Sequence, residues 1–173
     1  MPDNETSGND DVIRRYAAWQ VEIAKLLHAD GLNGAFCRFA TGNIAESQYH
    51  LLKPIFDAMN ESDWISPNEY SAQPGYPKGS GGNLERYKQM YAAAGRVMQT
   101  AIGEAGIAMN YDPGKGFRAV PGMGGRAMAE QMLAEEIWYG NGKVDRHAYL
   151  IGGHGWEPFQ LIDTVENGVA KSE

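Results

Sequence analysis

The sequence predicts an α+β fold that is mainly helical. Residues 10–28 and 84–105 carry apolar side chains three and four positions apart, which is the periodicity of an amphipathic helix. Two short apolar runs, residues 107–111 and 117–120, flank an Asp-Pro-Gly-Lys-Gly turn and predict a β-hairpin. A chain of 173 residues is long enough for one domain with its own core and an appendage.

The first helix is expected to begin at an acidic pair, because Asp10 and Asp11 suit the positive end of the helix macrodipole. Residues 31–43 then form a short connector. Three of its side chains are expected to pack inward: Phe36, Cys37 and Phe39. Since this cysteine has no partner, it is interpreted as a small buried hydrophobe.

A second helix is predicted after Asn43, because Glu46 follows it with the spacing of a helix start. Pro54 removes a backbone donor inside this helix, which predicts either a kink or a restart there. Residues 60–83 are rich in proline and glycine and predict a loop, with a short helical turn at residues 67–71.

The long helix that follows is expected to be capped by Asn83. Gly95 has low helix propensity, so the segment is either one weakened helix or two helices broken near that glycine. Gly106 is expected to end the helix in a left-handed conformation.

The last third of the chain predicts a helix over residues 126–139 and a strand over residues 147–151. Residues 159–165 fit a strand or a short helix equally well. Four aromatic residues there either close a second small core, which is favoured, or form a homodimer interface. They are Trp138, Tyr139, Tyr149 and Trp156.

The net charge of −7 is unevenly distributed. Residues 84–120 carry five basic and three acidic side chains, whereas the segments on both sides are acidic, so the centre supports a basic binding face. The single cysteine excludes an intramolecular disulfide and fits a reducing cytosol. Without a signal-peptide pattern or an apolar run of about 20 residues, we expect a cytoplasmic protein that does not enter a membrane.

The order of elements over roughly residues 44–120 resembles a winged-helix domain. A helix at LLKPIFDAMNE is followed by DWIS, a turn at PNEYS, a loop, the long helix and the glycine-turned hairpin. The stretch RVMQTAIGEAGIAMNYDPGKGFRAV is similar to the recognition helix and wing of many bacterial winged-helix regulators. The resemblance implies a DNA-binding regulatory protein, whose helix enters the major groove while the wing approaches the backbone.

The resemblance implies double-stranded DNA as the partner and six nucleic-acid-binding residues. Two would lie on the recognition helix, two near its N-terminal end and two on the wing. In that order they are Arg96 and Gln99, Arg86 and Lys88, and Lys115 and Arg118. The implied organisation is a disordered tail at 1–9, a helical domain at 10–120 with the winged-helix part at 44–120, and a C-terminal helical extension at 121–173.

The acidic ends favour a competing function, namely a small acidic module or inhibitor that binds a partner protein, with association speeded by charge complementarity. No enzyme activity is expected, because Cys37 with His147 or His154 lacks the third group of a catalytic triad. Two histidines seven residues apart also lack a metal-ligand spacing. Residues 122–125 match neither the P-loop nor the dinucleotide fingerprint, so neither a metal nor a cofactor is expected.

Overall fold

The computed structural model describes residues 9–39, 43–71, 85–107, 116, 119–124, 126–130, 133, 144–149, 164–166 and 169–171. They fall into two compact units. The first contains the described residues of Met1–Glu69, Glu85–Gly103 and Lys143–Arg146, and the second those of Tyr70–Leu84, Glu104–Gly142 and His147–Glu173. The predicted mixture of helix and strand, with helix in the majority, is confirmed.

The predicted first helix is confirmed as α1, Asp10–Ala29. The side chain of Asn9 caps its start by accepting the backbone N–H of Asp11 at 2.9 Å. The helix ends in a Schellman motif, because Gly31 adopts a φ of 71° and the N–H of Leu32 donates to the carbonyl of Leu27 at 2.8 Å. Both ends of α1 are therefore fixed by local hydrogen bonds.

Strand β1, Ala35–Phe36, follows α1, and the three connector side chains predicted to pack inward are all buried. The second predicted helix begins as a 3₁₀ helix, Glu46–Leu52, and continues as α2, Lys53–Ala58. Pro54 lies in the first turn of α2, where its missing N–H leaves no intrahelical bond unmade. Of the two expectations for this proline, the restart is confirmed.

After α2 the chain forms β2, Trp64–Ile65, and β3, Asn68–Ser71. The predicted helical turn at residues 67–71 is wrong, because the segment pairs with a strand further along the chain. The Ser-Pro sequence that suggests a helix start is overridden by this tertiary pairing.

Helix α3, Arg86–Ala94, stops at the break predicted near Gly95, but the second helix predicted after that break is wrong. It ends at Gly95, whose φ is 73° and whose N–H donates to the carbonyl of Tyr91 at 2.9 Å. The predicted cap Asn83 lies outside the described residues.

The prediction that helix continues to residue 105 is wrong, and so is the assignment of Gly106 as its cap. Residues Gln99–Ile107 form strand β4 instead. Thr100 and Ile102 are buried on one face of β4, whereas Gln99, Ala101 and Gly103 on the other face are partly exposed. Alanine and glycine on that second face remove the alternation of polar and apolar residues that predicts a strand. A Cβ at Gly103 would stand 2.8 Å from the Ser66 hydroxyl, so this glycine permits a close strand contact.

Among the described residues, five strands form one sheet in the order β1, β2, β4, β3, with β5, Val144–Tyr149, also pairing with β4. The pairs β1–β2 and β2–β4 are parallel, with Phe36 opposite Ile65 and Ile65 opposite Thr100. Each parallel pair is connected through helices, as parallel pairing requires. The sequence did not predict this parallel sheet.

The core of the first unit lies where α1 packs against the 3₁₀ helix and α2. Its largest fully buried side chains include Ile13, Phe36, Tyr49, Leu52 and Phe56. No helix in the described ranges is long and apolar enough to cross a membrane.

In the last third, β5 overlaps the strand predicted at residues 147–151. Strands β6, Thr164–Glu166, and β7, Val169–Lys171, pair antiparallel. Residues 126–130 are helical, as predicted. Residues 112–115 of the predicted hairpin turn lie outside the described residues, as do the aromatic side chains expected to pack or dimerise. Ala119 and Val120, predicted to end the second strand of the hairpin, form a turn instead, in which the N–H of Ala119 donates to the carbonyl of Gly116 at 2.9 Å.

Candidate functional site

Buried polar side chains gather where the parallel strand β2 ends. Ser66, Asn68 and Glu69 follow this strand within four residues, and each is less than one tenth exposed. The carboxyl ends of parallel strands are where α/β proteins generally bind ligands. We call these residues, together with Tyr49 and Arg86, the carboxyl-edge cluster.

Arg86, the first residue of α3, is only 5% exposed, so its charge must be met within the protein. Its Nε donates to the hydroxyl of Tyr49 at 2.6 Å, and its guanidinium lies over the same ring, 5.5 Å from the centroid. A terminal nitrogen donates to the carbonyls of Asn43, at 3.2 Å, and Ile44. Arg86 thereby ties the start of α3 to the segment that leads into the 3₁₀ helix.

Glu69 provides the buried negative charge of the cluster. Its carboxylate accepts the backbone N–H of Glu85 at 2.8 Å and that of Tyr87 at 3.5 Å, the first N–H groups of α3. An anion is favourable there because the N-terminus of a helix carries partial positive charge. Glu69 thus caps α3 from a strand that lies 16 residues earlier.

Three non-glycine residues adopt positive φ, namely Cys37, Ile44 and Glu85, at 57° to 58°, and Glu85 directly precedes Arg86. For a β-branched residue such as Ile44 this conformation is a genuine outlier, which persists only where its surroundings impose it. Its carbonyl is one of those that Arg86 holds. Arg86 therefore holds the backbone at one of these three positions.

Burial raises the pKa of two tyrosines near Arg86. It raises the pKa of Tyr49 to about 12, although the positive charge of Arg86 acts in the opposite direction. Burial raises the pKa of Tyr87 as well. The thiol of Cys37 is fully buried and has its pKa raised by burial, which fits the small buried hydrophobe predicted from the sequence.

The opposite edge of the sheet holds a second buried carboxylate, Asp63, directly before β2. Its Oδ1 accepts the N–H of Gly34, and its Oδ2 accepts that of Asn60, both at 2.8 Å. His28, in the last turn of α1, lies 2.8 Å from the same Oδ2 through its Nε2. Asp63 therefore joins the end of α1, the start of β1 and the loop before β2.

The surface of α1 differs from both edges, because it exposes apolar side chains. Trp19 is 44% exposed and Leu26 is 65% exposed. Val12, Tyr16 and Ile23 are half-buried and share this face of the helix. We call these five residues the α1 stripe. It is separate from the buried face, which carries Ile13, Ala17, Gln20 and Ala24.

The structure places four of the six predicted nucleic-acid-binding residues, and it does not bring them together on one helix. Arg86 is buried, as described above. Lys88 is exposed on α3 and pairs with Glu85 one turn earlier. Lys115 and Arg118 lie outside the described residues.

Arg96 and Gln99 lie on a loop and a strand, so their assignment to a recognition helix is wrong. A terminal nitrogen of Arg96 donates to the carbonyls of Phe56, at 2.7 Å, and Met59, at 2.8 Å, where it caps α2. The side chain of Gln99 donates to the carbonyl of Glu61 at 2.6 Å. Both side chains hold the chain's own backbone.

Sequence reasoning missed Tyr49, Asp63 and Glu69, because each lies in a segment interpreted as ordinary helix or loop. A carboxylate that caps a distant helix has no local sequence pattern. The α1 stripe did have a signal, since the first helix carries more apolar residues than one buried face requires. Trp19 and Leu26 flank the predicted core face.

The described residues define a small mixed α/β protein with a parallel sheet and a partly apolar helix surface. No group of three histidine, cysteine, aspartate or glutamate side chains in the described ranges is placed to hold a metal ion. Comparison of the chain with protein-family models, with curated proteins and with solved structures finds no match.

Proposed function

We propose that this protein is a protein-interaction module that uses the α1 stripe to bind an amphipathic helix of its partner. The observation that carries the proposal is the exposure of Trp19 and Leu26 on one face of a 20-residue helix. Exposed apolar residues that form a continuous patch, unlike scattered ones, mark interaction surfaces. Tryptophan is also among the residues that contribute most to binding energy.

The geometry favours a helix as the partner. From Val12 to Leu26 the stripe extends about 21 Å, since each helical residue rises 1.5 Å. It is narrow and elongated, so an elongated apolar ridge fits it better than a globular surface does. Charged residues border it, with Arg15 and Glu22 exposed along one side. The partner helix is therefore expected to carry an apolar stripe with charges of both signs beside it.

Site-specific photo-crosslinking in cells that express this protein tests the proposal. A photoreactive amino acid replaces Leu26 in one variant and Arg14, exposed on another face of α1, in the control. We expect a protein adduct only from position 26, with the crosslinked peptide in a single amphipathic helix. Trp19→Glu in the same chain should abolish that adduct. Equal adducts from both positions, or none from position 26, would contradict the proposal.

Sequence-specific DNA binding through a winged helix stays a prediction. The side chains of Arg86, Arg96 and Gln99 donate to groups of this chain, and Lys88 pairs with Glu85. Of the three described cations, Arg86 is buried, whereas Lys88 and Arg96 are exposed. Nucleic-acid affinity depends on phosphate neutralisation by accessible Lys and Arg. Duplex affinity that falls with salt, and falls further when Arg96 and Lys115 are both removed, would support DNA binding.

A further inference from the structure

The spacing of the α1 stripe points to its occupant. Val12, Tyr16, Trp19, Ile23 and Leu26 are separated by four, three, four and three residues. This alternation is the a/d pattern of a coiled coil, with Tyr16 and Ile23 at a positions and the other three at d positions. We infer that the occupant is α1 of a second copy of this chain, packed antiparallel; the inference rests on the proposed function.

The stripe is self-complementary in the antiparallel sense. Val12 and Leu26 lie seven residues on either side of Trp19. When two copies are related by a twofold axis at Trp19, Val12 of one copy faces Leu26 of the other. A small side chain thus meets a larger one at each end, while the two indoles share the centre. The same surface serves on both copies, as a twofold interface requires.

Charge also favours the antiparallel arrangement. Arg15 and Glu22 each precede an a position, so both occupy g positions on the same side of the stripe. An antiparallel pair brings g positions opposite each other, which places Arg15 beside Glu22 of the second copy, twice by symmetry. No carboxylate among the described residues pairs with Arg15, whereas Glu22 lies 2.6 Å from Lys25 on its own helix.

A parallel pair would lack this complementarity. In a parallel pair the g positions of one helix face the e positions of the other. The e positions of α1 are Ile13, Gln20 and Leu27. Ile13 and Gln20 are buried in the core of their own unit, at 0% and 7% exposure. These two side chains offer no charge and very little accessible surface to a second helix. The fold therefore leaves the d and g positions, and the exposed parts of the half-buried a residues Tyr16 and Ile23, for association, and it favours the antiparallel direction.

Charge exchange in the full chain tests the inference by sedimentation analysis. Arg15→Glu and Glu22→Arg alone each place two like-charged pairs in the interface. Each should weaken the dimer about tenfold, roughly 1.4 kcal/mol. The double variant restores opposite charges and should return to within about threefold of the original dissociation constant. Circular dichroism verifies that each variant keeps its helix content.

Apolar variants give a second, independent measurement. Leu26→Glu should yield a monomer, whereas Val97→Glu should leave the dimer intact, since Val97 is 56% exposed but lies outside the stripe. Both changes add one negative charge at an exposed apolar position. A dimer that resists Leu26→Glu, or that the double charge exchange fails to restore, would overturn the antiparallel α1 pair.

The photo-crosslinking experiment separates failure of this inference from failure of the proposed function. A chain that sediments as a monomer, and whose position 26 crosslinks to a helix of another protein, overturns self-association and keeps the interaction module. A monomer that gives no adduct from position 26 overturns both. Crosslinks between two copies of α1, together with charge rescue, support both.

Discussion

Replacement of Asp63 by Asn should destabilise the first unit far more than an equivalent change on its surface. The carboxylate is fully buried and has three hydrogen-bonding neighbours, namely the N–H groups of Gly34 and Asn60 and the ring of His28. An asparagine amide keeps one oxygen and replaces the other with a donor. In either orientation one backbone N–H, that of Gly34 or that of Asn60, loses its acceptor and faces another donor.

The expected cost follows from the two effects together. A hydrogen bond to a charged group contributes roughly 1.5–3 kcal/mol, and an unsatisfied buried donor costs roughly 1–3 kcal/mol. Both figures include the loss of the same hydrogen bond, so they are not simply added, and we expect the free energy of unfolding to fall by about 3 kcal/mol. His28→Ala leaves both backbone hydrogen bonds of Asp63 in place and should cost about 1 kcal/mol.

Urea unfolding followed by far-ultraviolet circular dichroism measures this loss, because α1, α2 and α3 all belong to the first unit. With a urea dependence of about 2 kcal/mol per molar, a loss of about 3 kcal/mol lowers the midpoint by roughly 1.5 M. Asp57→Asn is the matched control, because the exposed carboxylate of Asp57 bonds only Lys53 among the described residues. This surface ion pair contributes about 0.5 kcal/mol or less to stability. Equal midpoints for the two variants would refute the role assigned to Asp63.

Three further changes probe the carboxyl edge and β4. Burial raises the folded-state pKa of Tyr49 to about 12, so the contribution of this tyrosine to stability is complete below about pH 10 and is lost as pH rises towards 12. The melting temperature should therefore fall between about pH 10 and pH 12, and Tyr49→Phe should make that fall less steep. An unchanged slope would count against the burial effect. Gly103→Ala should cost about 1–3 kcal/mol in urea unfolding, because its Cβ would stand 2.8 Å from two buried side-chain oxygens; a neutral result would exclude the close contact. Arg86→Met should lower the free energy of unfolding by about 3 kcal/mol, and Lys88→Met should lower it by about 0.5 kcal/mol or less. If these residues contacted DNA instead, duplex affinity would depend more on Lys88 than on Arg86.

The parts of the fold that the sequence predicts are those governed by local rules. The first helix has a capping residue, an acidic first turn and a glycine stop, and the structure begins and ends it at Asp10 and Ala29. Pro54 likewise restarts a helix because its backbone geometry acts within one turn. Burial of Phe36 and Cys37 follows from their apolar character alone.

The parts that the sequence does not predict depend on partners far along the chain. Residues 99–107 have helix-like apolar spacing, yet they form a strand because Gln99 and Thr100 pair with Trp64 and Ile65. Arg86 is a strong candidate for a basic surface until the fold brings Tyr49 and two carbonyls to its guanidinium. A single sequence does not encode these separations of 35 to 43 residues in any local pattern.

The buried carboxylate and the exposed stripe are linked through α1. His28 lies two residues beyond Leu26, the last residue of the stripe, and its contact with Asp63 fixes that end of the helix against the sheet edge. A helix held in this way presents its apolar face without further loss of conformational freedom, so less binding energy is spent on ordering it. The α1 stripe has only two a and three d positions. The stability of a helix pair formed by so short a stripe depends on a preordered helix more than the stability of a long coiled coil does. Asp63→Asn should therefore weaken α1 association even though no atom of Asp63 belongs to the stripe.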